Sequence, residues 1–200
     1  MKNTSGNKNR IRRSRLIIIL ALIIICFPCS VHMGRSELLA GDSGDDNSVN
    51  VVKAAYICNF LKYVEWPEWS FQNETVPISI YITQGRFGRF AMEELRLKKV
   101  KGRRLKLREW NCSNETLPDN CQVVYIDESC TGNLASLIQI FEKKNILSIG
   151  CLDGFAEMGG IIELIRIDGN IRFTINTAAA QRSGIKLESQ LLRLARIIEE

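Results

Sequence analysis

The chain has 200 residues, of which 24% are charged and 46% are hydrophobic. This composition excludes a disordered or fibrous protein, and the length suits a single globular domain. The formal net charge of +5 comes from the amino-terminal segment, because residues 1–40 hold seven of the 27 basic residues and one of the 22 acidic residues. The rest of the chain has a net charge near −1 and lacks the electrostatic signature of a nucleic-acid-binding protein.

A basic stretch over residues 10–15 leads directly into an apolar segment, 16–27, that ends at Pro28. This order is typical of a secretory signal peptide. The apolar segment is shorter than the ~20 residues that a membrane-spanning helix needs, which favours a cleaved signal over a permanent anchor. The sequence therefore predicts a signal peptide over 1–30, a flexible polar leader over 31–50 and one folded domain over 51–200.

The domain is predicted to alternate helices and strands. A helix over 53–65, apolar on nearly all sides, is ended by Pro67. Strands separated by helices indicate a mostly parallel sheet that helices cover on both faces. The further elements are strand 76–83, helix 87–98, a short strand at Leu105 and Leu107, strand 122–127, helix 132–144 and strand 146–149.

The pattern changes near residue 161. Strands over 161–167 and 171–176 are joined through Asp168-Gly169-Asn170, which is a strong hairpin signal. Asn176 is expected to cap the next helix, and apolar residues at helical spacing predict a last helix over 187–198. The predicted fold is a single-domain α/β sandwich with a mostly parallel central sheet flanked by helices, a C-terminal β-hairpin and a terminal helix.

Catalytic chemistry finds little support in the sequence. The single histidine, His32, lies in or next to the signal, so the folded domain has no imidazole for a Ser-His-Asp site, a Cys-His site or a metal centre. Phosphate-binding and nucleophile motifs are also absent. We therefore expect no catalytic residue, no metal and no cofactor. The following acidic residues are expected to be solvated turn residues: Asp127, Glu128, Asp153, Glu157 and Asp168.

Five cysteines lie outside the signal, so at least one must be unpaired. Cys58 falls on the buried helix and is expected to be a free thiol. Cys112 and Cys121 bracket a short polar connection that a disulfide could close. Cys130 and Cys151 each follow the end of one of two consecutive strands, which places them within bridging reach. The predicted disulfides are Cys112–Cys121 and Cys130–Cys151, although the sequence leaves other pairings open.

Large apolar residues in predicted loops are the candidates for an exposed interface: Trp69, Phe71, Phe155 and Met158. Gly159 and Gly160 are expected to supply positive φ at the entry to a strand rather than a ligand contact. The basic run over 98–104 is interpreted as a solvated turn in preference to a site for an acidic partner.

Three stretches, taken together, resemble the YfiR family of exported bacterial proteins. They are residues 53–67 with their Trp66-Pro67 end, the Gly159-Gly160 pair, and residues 171–196 with the Ala178-Ala-Ala stretch. The resemblance covers about residues 51–198. It implies a periplasmic α/β protein that binds the periplasmic sensor region of a membrane-bound diguanylate cyclase, or another envelope sensor protein. Such binding represses the cyclase and lowers cyclic di-GMP and biofilm formation.

The cysteines follow this resemblance in part. Cys121, at the start of a predicted strand, is similar to a cysteine position of the family. In the family's namesake, the cysteine at that position pairs with a cysteine of the earlier strand. Here that strand, Ile78–Ile82, has no cysteine. That departure favours Cys112 as the partner of Cys121.

A second class of function also fits the sequence. A small-ligand-binding sensory module would recognise a solute in a cleft at the strand ends. Retention of a small molecule by the purified domain distinguishes the two classes. The sequence does not fix the oligomeric state, and a homodimer is compatible with it.

We predict that the exported protein begins between residues 30 and 41, because the basic and apolar stretches precede that region in the order of a cleaved signal. N-terminal sequencing of the protein from the envelope fraction measures this directly. An intact Met1 or Lys2 on a membrane-embedded form would establish an anchor instead.

Overall fold

The computed structural model describes residues 43–199, except positions 86, 114, 131 and 132, with side chains from Ser48 onward. The predicted signal peptide and the leader up to residue 42 lie outside the described residues. Within the described part, no helix has the length and apolar character needed to cross a membrane.

Helices and strands alternate along the described chain. The helices are α1 (Ser43–Lys62), α2 (Arg89–Arg96), α3 (Leu134–Lys143), α4 (Thr177–Arg182) and α5 (Ser189–Leu192), and a 3-10 turn covers Glu68–Ser70. The strands are β1 (Val64–Glu65), β2 (Ile78–Thr83), β3 (Lys99–Val100), β4 (Arg103–Trp110), β5 (Val123–Ile126), β6 (Leu147–Gly150), β7 (Ile162–Ile167), β8 (Asn170–Asn176), β9 (Lys186–Leu187) and β10 (Arg196–Ile198).

Eight strands form one sheet in the order β10-β8-β7-β6-β5-β2-β4-β3. The pairs along β4, β2, β5, β6 and β7 are parallel, whereas β7 with β8 and β3 with β4 are antiparallel. Strands β1 and β9 form a separate antiparallel pair. The predicted α/β fold with a mostly parallel sheet is thereby confirmed.

The sheet is buried on both faces. On one face, Ile78, Ile80 and Ile82 of β2 lie in a core that includes Phe60 of α1. On the other face, a second core contains Phe141 of α3. Burial on both sides explains why the central strand β5, Val-Val-Tyr-Ile, is a continuous apolar run rather than an alternating one.

Helix α1 differs from its prediction at both ends. It begins at Ser43, inside the segment predicted to be a flexible leader, and Asn50 is buried. It ends at Lys62, before Pro67, because the chain turns into β1 and pairs with β9. The Trp66 indole N–H then donates to the carbonyl of Gln122 at 3.3 Å. Polar composition predicted a flexible leader up to residue 50, whereas α1 already begins at Ser43.

The carboxyl terminus also differs from its prediction. The predicted helix over 187–198 is confined to the four residues of α5, and the chain returns to the sheet as β10. There Ile197 pairs with Ile175 of β8, and Thr177 Oγ1 donates to the carbonyl of Ile198 at 3.2 Å. The apolar spacing is compatible with a helix, but residues 196–198 instead pair with β8 at the edge of the sheet.

The local signals around the hairpin are confirmed. Asp168 and Gly169 both have positive φ, at 49° and 77°, as the tight turn between β7 and β8 requires. The Asn176 side chain accepts a hydrogen bond from the Ala179 N–H at 2.8 Å and caps α4.

Phe155 is buried, not exposed as predicted. Its ring fills the space above Gly150 and Gly160, where a Cβ on either glycine would overlap it. Glu163 holds this turn, because its carboxylate accepts hydrogen bonds from the Gly154 and Ala156 N–H groups at 3.0 and 2.9 Å. Of the glycine pair, only Gly159 has the predicted positive φ, at 103°.

We expect Gly160→Ala to lower the free energy of unfolding by roughly 1–3 kcal/mol, because the added methyl group meets the fixed Phe155 ring. Denaturant unfolding measures the loss. The same substitution in a Phe155→Leu background serves as the control and should cost less, since the smaller side chain leaves room. Equal losses in both backgrounds would contradict this packing.

Candidate functional site

The chain reverses its direction of travel across the sheet between β2 and β5. From β2 the connection through α2 leads to β4 on one side, whereas the connection from β5 through α3 leads to β6 on the other. The loops after β2 and β5 therefore diverge at the carboxyl edge of the sheet. In open α/β sheets, ligands bind in the crevice at such a switch point.

A cavity of about 520 Å³ lies at this edge. Its floor includes Phe87 and Tyr125, whose ring centroids are 4.8 Å apart. Its lining also includes charged residues of both signs: Lys53, Asp127, Glu128, Asp153 and Arg166. An apolar floor with charged groups around it suits a small solute that carries polar groups.

Asp127 connects β2 with β5 beside this cavity. Its Oδ1 accepts a hydrogen bond from Thr83 Oγ1 at 3.0 Å, and its own N–H donates to Thr83 Oγ1 at 3.1 Å. The Ser129 N–H donates to the same carboxylate oxygen at 3.0 Å. Asp127 is buried, so the expectation of a solvated turn residue was wrong for it. A Cβ at Gly85 would overlap this carboxylate, which explains the glycine.

Tyr125 keeps its proton near neutral pH. Burial raises the pKa of its hydroxyl, and the neighbouring Cys151 thiol adds to the increase. The phenol therefore stays protonated. The cavity thus combines apolar, hydrogen-bonding and charged groups.

The structure pairs Cys112 with Cys130 and leaves Cys58, Cys121 and Cys151 as thiols. Both expected pairings, Cys112–Cys121 and Cys130–Cys151, are thereby corrected, while the free Cys58 agrees with the prediction. Cys112 follows β4 and Cys130 follows β5, so both lie at the carboxyl edge on either side of β2.

The alternative pairings fail for geometric reasons. Cys121 precedes β5 and lies at the amino edge of the sheet, at the other end of the connection that begins at Cys112. Cys151 packs against the core on the α1 face, whereas Cys130 belongs to the core on the α3 face. The sheet separates these two cysteines although their strands are neighbours.

The predicted interface residues differ in exposure. Trp69 is 78% exposed, and its indole N–H donates to Asn145 Oδ1 at 3.3 Å. Phe71 is half-buried beneath Arg103, whose guanidinium carbon lies 4.1 Å from the ring centroid. Met158 is exposed in the link between β6 and β7, apart from the segment that holds Trp69. Other exposed apolar residues lie in segments predicted to be helices and were therefore not predicted as interface residues: Phe90, Leu97 and Leu194.

Asn145 fixes the position of Trp69. It has a positive φ of 54°, and its Nδ2 donates to the Ser183 carbonyl at 2.9 Å. The amide thus links the turn after α3 to the end of α4 while its oxygen accepts from the indole. An exposed tryptophan held in this way is pre-organised for contact with a partner.

We expect thiol reagents under native conditions to modify Cys58 and Cys151, which are half-exposed, and to spare Cys121. Burial blocks access to Cys121 and raises the pKa of its thiol to about 12, so it stays protonated at mildly alkaline pH. Non-reducing peptide mapping should recover Cys112 joined to Cys130. Labelling of Cys121 as fast as Cys151 would contradict this arrangement.

Several solved structures are similar to this chain, and the first described here supports the fold. A conserved domain protein from Vibrio cholerae O1 biovar El Tor is 15% identical, with a TM-score of 0.51 over 75% of this chain and 60% of that chain. A putative O-acetylhomoserine (thiol)-lyase from Campylobacter jejuni is 10% identical, with a TM-score of 0.40 over 58% and 30% of the two chains. An ABC domain in complex with L-Trp from Streptococcus pneumonia is 12% identical, with a TM-score of 0.43 over 60% and 55%.

The present chain thus spans about 60% of the Vibrio protein, and that likeness concerns the fold alone. Among curated proteins, none matches the sequence. A family described as DUF4154, YfiR/HmsC-like, matches residues 50–196, which include β1 to β9 and both cysteines of the disulfide. The chain belongs to the YfiR/HmsC-like family.

Proposed function

We propose that the protein acts in the periplasm as a repressor of a membrane-bound diguanylate cyclase. It binds the periplasmic sensor region of the cyclase and holds the enzyme in its inactive state. The observation that carries the proposal is the family match over residues 50–196. A disulfide in the folded domain fits an exported protein, because such bonds persist in oxidising compartments.

Repression by binding requires only a difference in affinity between two states of the partner. A protein that binds the inactive state more tightly shifts the equilibrium by that difference, and a few kcal/mol suffice to silence an enzyme. No catalytic group is needed in the repressor.

Trp69 is the best candidate for an anchor at the contact. It combines 78% exposure with an indole whose position Asn145 fixes. Tryptophan is among the residues that contribute most to binding at protein interfaces. Met158, 49% exposed, is a second candidate, whereas the buried Phe155 is withdrawn as an interface residue.

We expect deletion of the gene to raise cellular cyclic di-GMP and the wild-type gene to restore it. A Trp69→Ala variant should restore it poorly, because the loss of an anchor weakens binding on the order of 30-fold. Phe90→Ala is the matched control, since it removes another exposed aromatic ring, 62% exposed, from α2. Both variants must accumulate in the envelope at the wild-type level.

Full restoration by Trp69→Ala would remove Trp69 from the contact but leave the repressor proposal intact. Unchanged cyclic di-GMP on deletion would overturn the proposal itself. These two outcomes separate the binding site from the function.

A small-ligand-binding sensory module is the second candidate function. The cavity at the switch point favours it, because that crevice is where open α/β sheets bind ligands. Native mass spectrometry of the purified protein tests this candidate. A retained small molecule, together with unchanged cyclic di-GMP on deletion, would put ligand sensing in place of repression.

A further inference from the structure

The basic residues of the domain are concentrated in one short segment. Residues 98–108 hold seven lysines and arginines and no acidic residue, although the chain beyond residue 40 has a net charge near −1. In the structure this segment forms β3, the turn at Gly102 and most of β4. The remainder of the domain is therefore acidic, and its charge is strongly asymmetric.

Three of the seven cations have partners within the protein. Lys98 lies 3.8 Å from Glu94, and Lys101 lies 3.5 Å from Glu188. The Arg103 guanidinium donates to two backbone carbonyls at 2.7 Å and lies over an aromatic ring. These residues stabilise the fold at the amino edge of the sheet.

The other four cations form what we call the basic face: Lys99, Arg104, Lys106 and Arg108. All four are exposed, and none makes an ion pair or hydrogen bond with the described part of the chain. Alternation along β4 places its three cations opposite the buried Leu105 and Leu107. The antiparallel register pairs Lys99 with Arg104, so both project to the same side.

The geometry of the basic face is that of a flat array. Residues two apart on a strand are roughly 7 Å from one another, and their side chains stand on one side of the sheet. Several cations can therefore reach one plane at the same time. Arginine, present twice in the array, also binds phosphate oxygens through paired hydrogen bonds.

We propose that the basic face docks the protein on an anionic lipid surface. Every apolar residue of β3 and β4 is buried, so these strands expose only polar and charged side chains, whereas a packed protein interface has an apolar centre. Contact through charge alone is characteristic of binding to anionic headgroups, where each nearby cation adds attraction. The proposal does not depend on the identity of any protein partner.

The test uses the processed protein from the envelope fraction, with its amino terminus confirmed by sequencing. Its co-sedimentation is measured with phosphatidylcholine vesicles that contain or lack phosphatidylglycerol, at low and high salt. The test variant carries Arg104→Gln, Lys106→Gln and Arg108→Gln. The control carries Arg172→Gln, Arg193→Gln and Arg196→Gln, which remove the same charge from exposed arginines elsewhere. Thermal unfolding verifies that both variants fold.

The wild-type protein is expected to bind the anionic vesicles weakly and reversibly, and to be released by salt. The basic-face variant should bind anionic vesicles on the order of 100-fold more weakly, because each of the three cations that it lacks contributes a factor of about five. The control should lose far less.

Three results would overturn the proposal: equal wild-type binding to both kinds of vesicle, equal losses in the two variants, or insensitivity to salt. If the basic-face variant binds vesicles normally but no longer binds the sensor region of a membrane protein, the face is a protein interface instead. Because the vesicles contain no cyclase, the outcome is independent of the repressor function, which cyclic di-GMP reports.

Discussion

The carboxyl edge of the sheet depends on the reciprocal hydrogen bonds between Thr83 and Asp127. They join the ends of β2 and β5 at the point where the chain changes direction. A buried carboxylate is stable there only because donors surround it, and leaving it unpaired would cost several kcal/mol. The Cys130 N–H also donates to the Asp127 carbonyl at 3.0 Å, which fixes the start of the turn that carries the disulfide. The cavity and the covalent link therefore share one anchor.

The disulfide and the cavity lie close in sequence but on different sides of the sheet. Cys130 belongs to the core beneath α3, whereas Tyr125 and Cys151 belong with the core beneath α1. The disulfide joins the start of the connection from β4 to β5 to Cys130, which follows β5. Lys144 holds the same connection, because its Nζ donates to the Leu117 carbonyl and to Asp119 Oδ1, both at 2.8 Å. The two contacts hold this connection against the α3 side of the sheet while the opposite side remains open to a ligand.

The sequence predicted most elements correctly because apolar period and turn residues act locally, as at Ile78–Ile82 and Asp168-Gly169. It could not predict the cysteine pairing, since that depends on which face of the sheet each residue following a strand occupies. The predicted exposure of Phe155 was wrong because Gly150 and Gly160, five residues before and after it, leave the space that its ring fills. The sequence suggested a cleft at the strand ends but not its lining, because the lining residues come from six separate segments that only the strand order brings together.

The basic segment over residues 98–108 contacts the segment over residues 64–71 that holds Phe71 and Trp69. Lys101 Nζ donates to the Val64 carbonyl at 3.0 Å, and the Arg103 guanidinium lies over Phe71, two residues from Trp69. A protein docked through the basic face would keep its acidic remainder away from anionic headgroups by repulsion. Phe71 packs with Leu105 and Leu107 on the α1 face of the sheet, opposite the basic face, so the segment of Phe71 and Trp69 would stay accessible on a docked protein. Charge would thus set the orientation in which an exposed tryptophan meets its partner, and confinement to the membrane would raise the effective concentration of the two proteins.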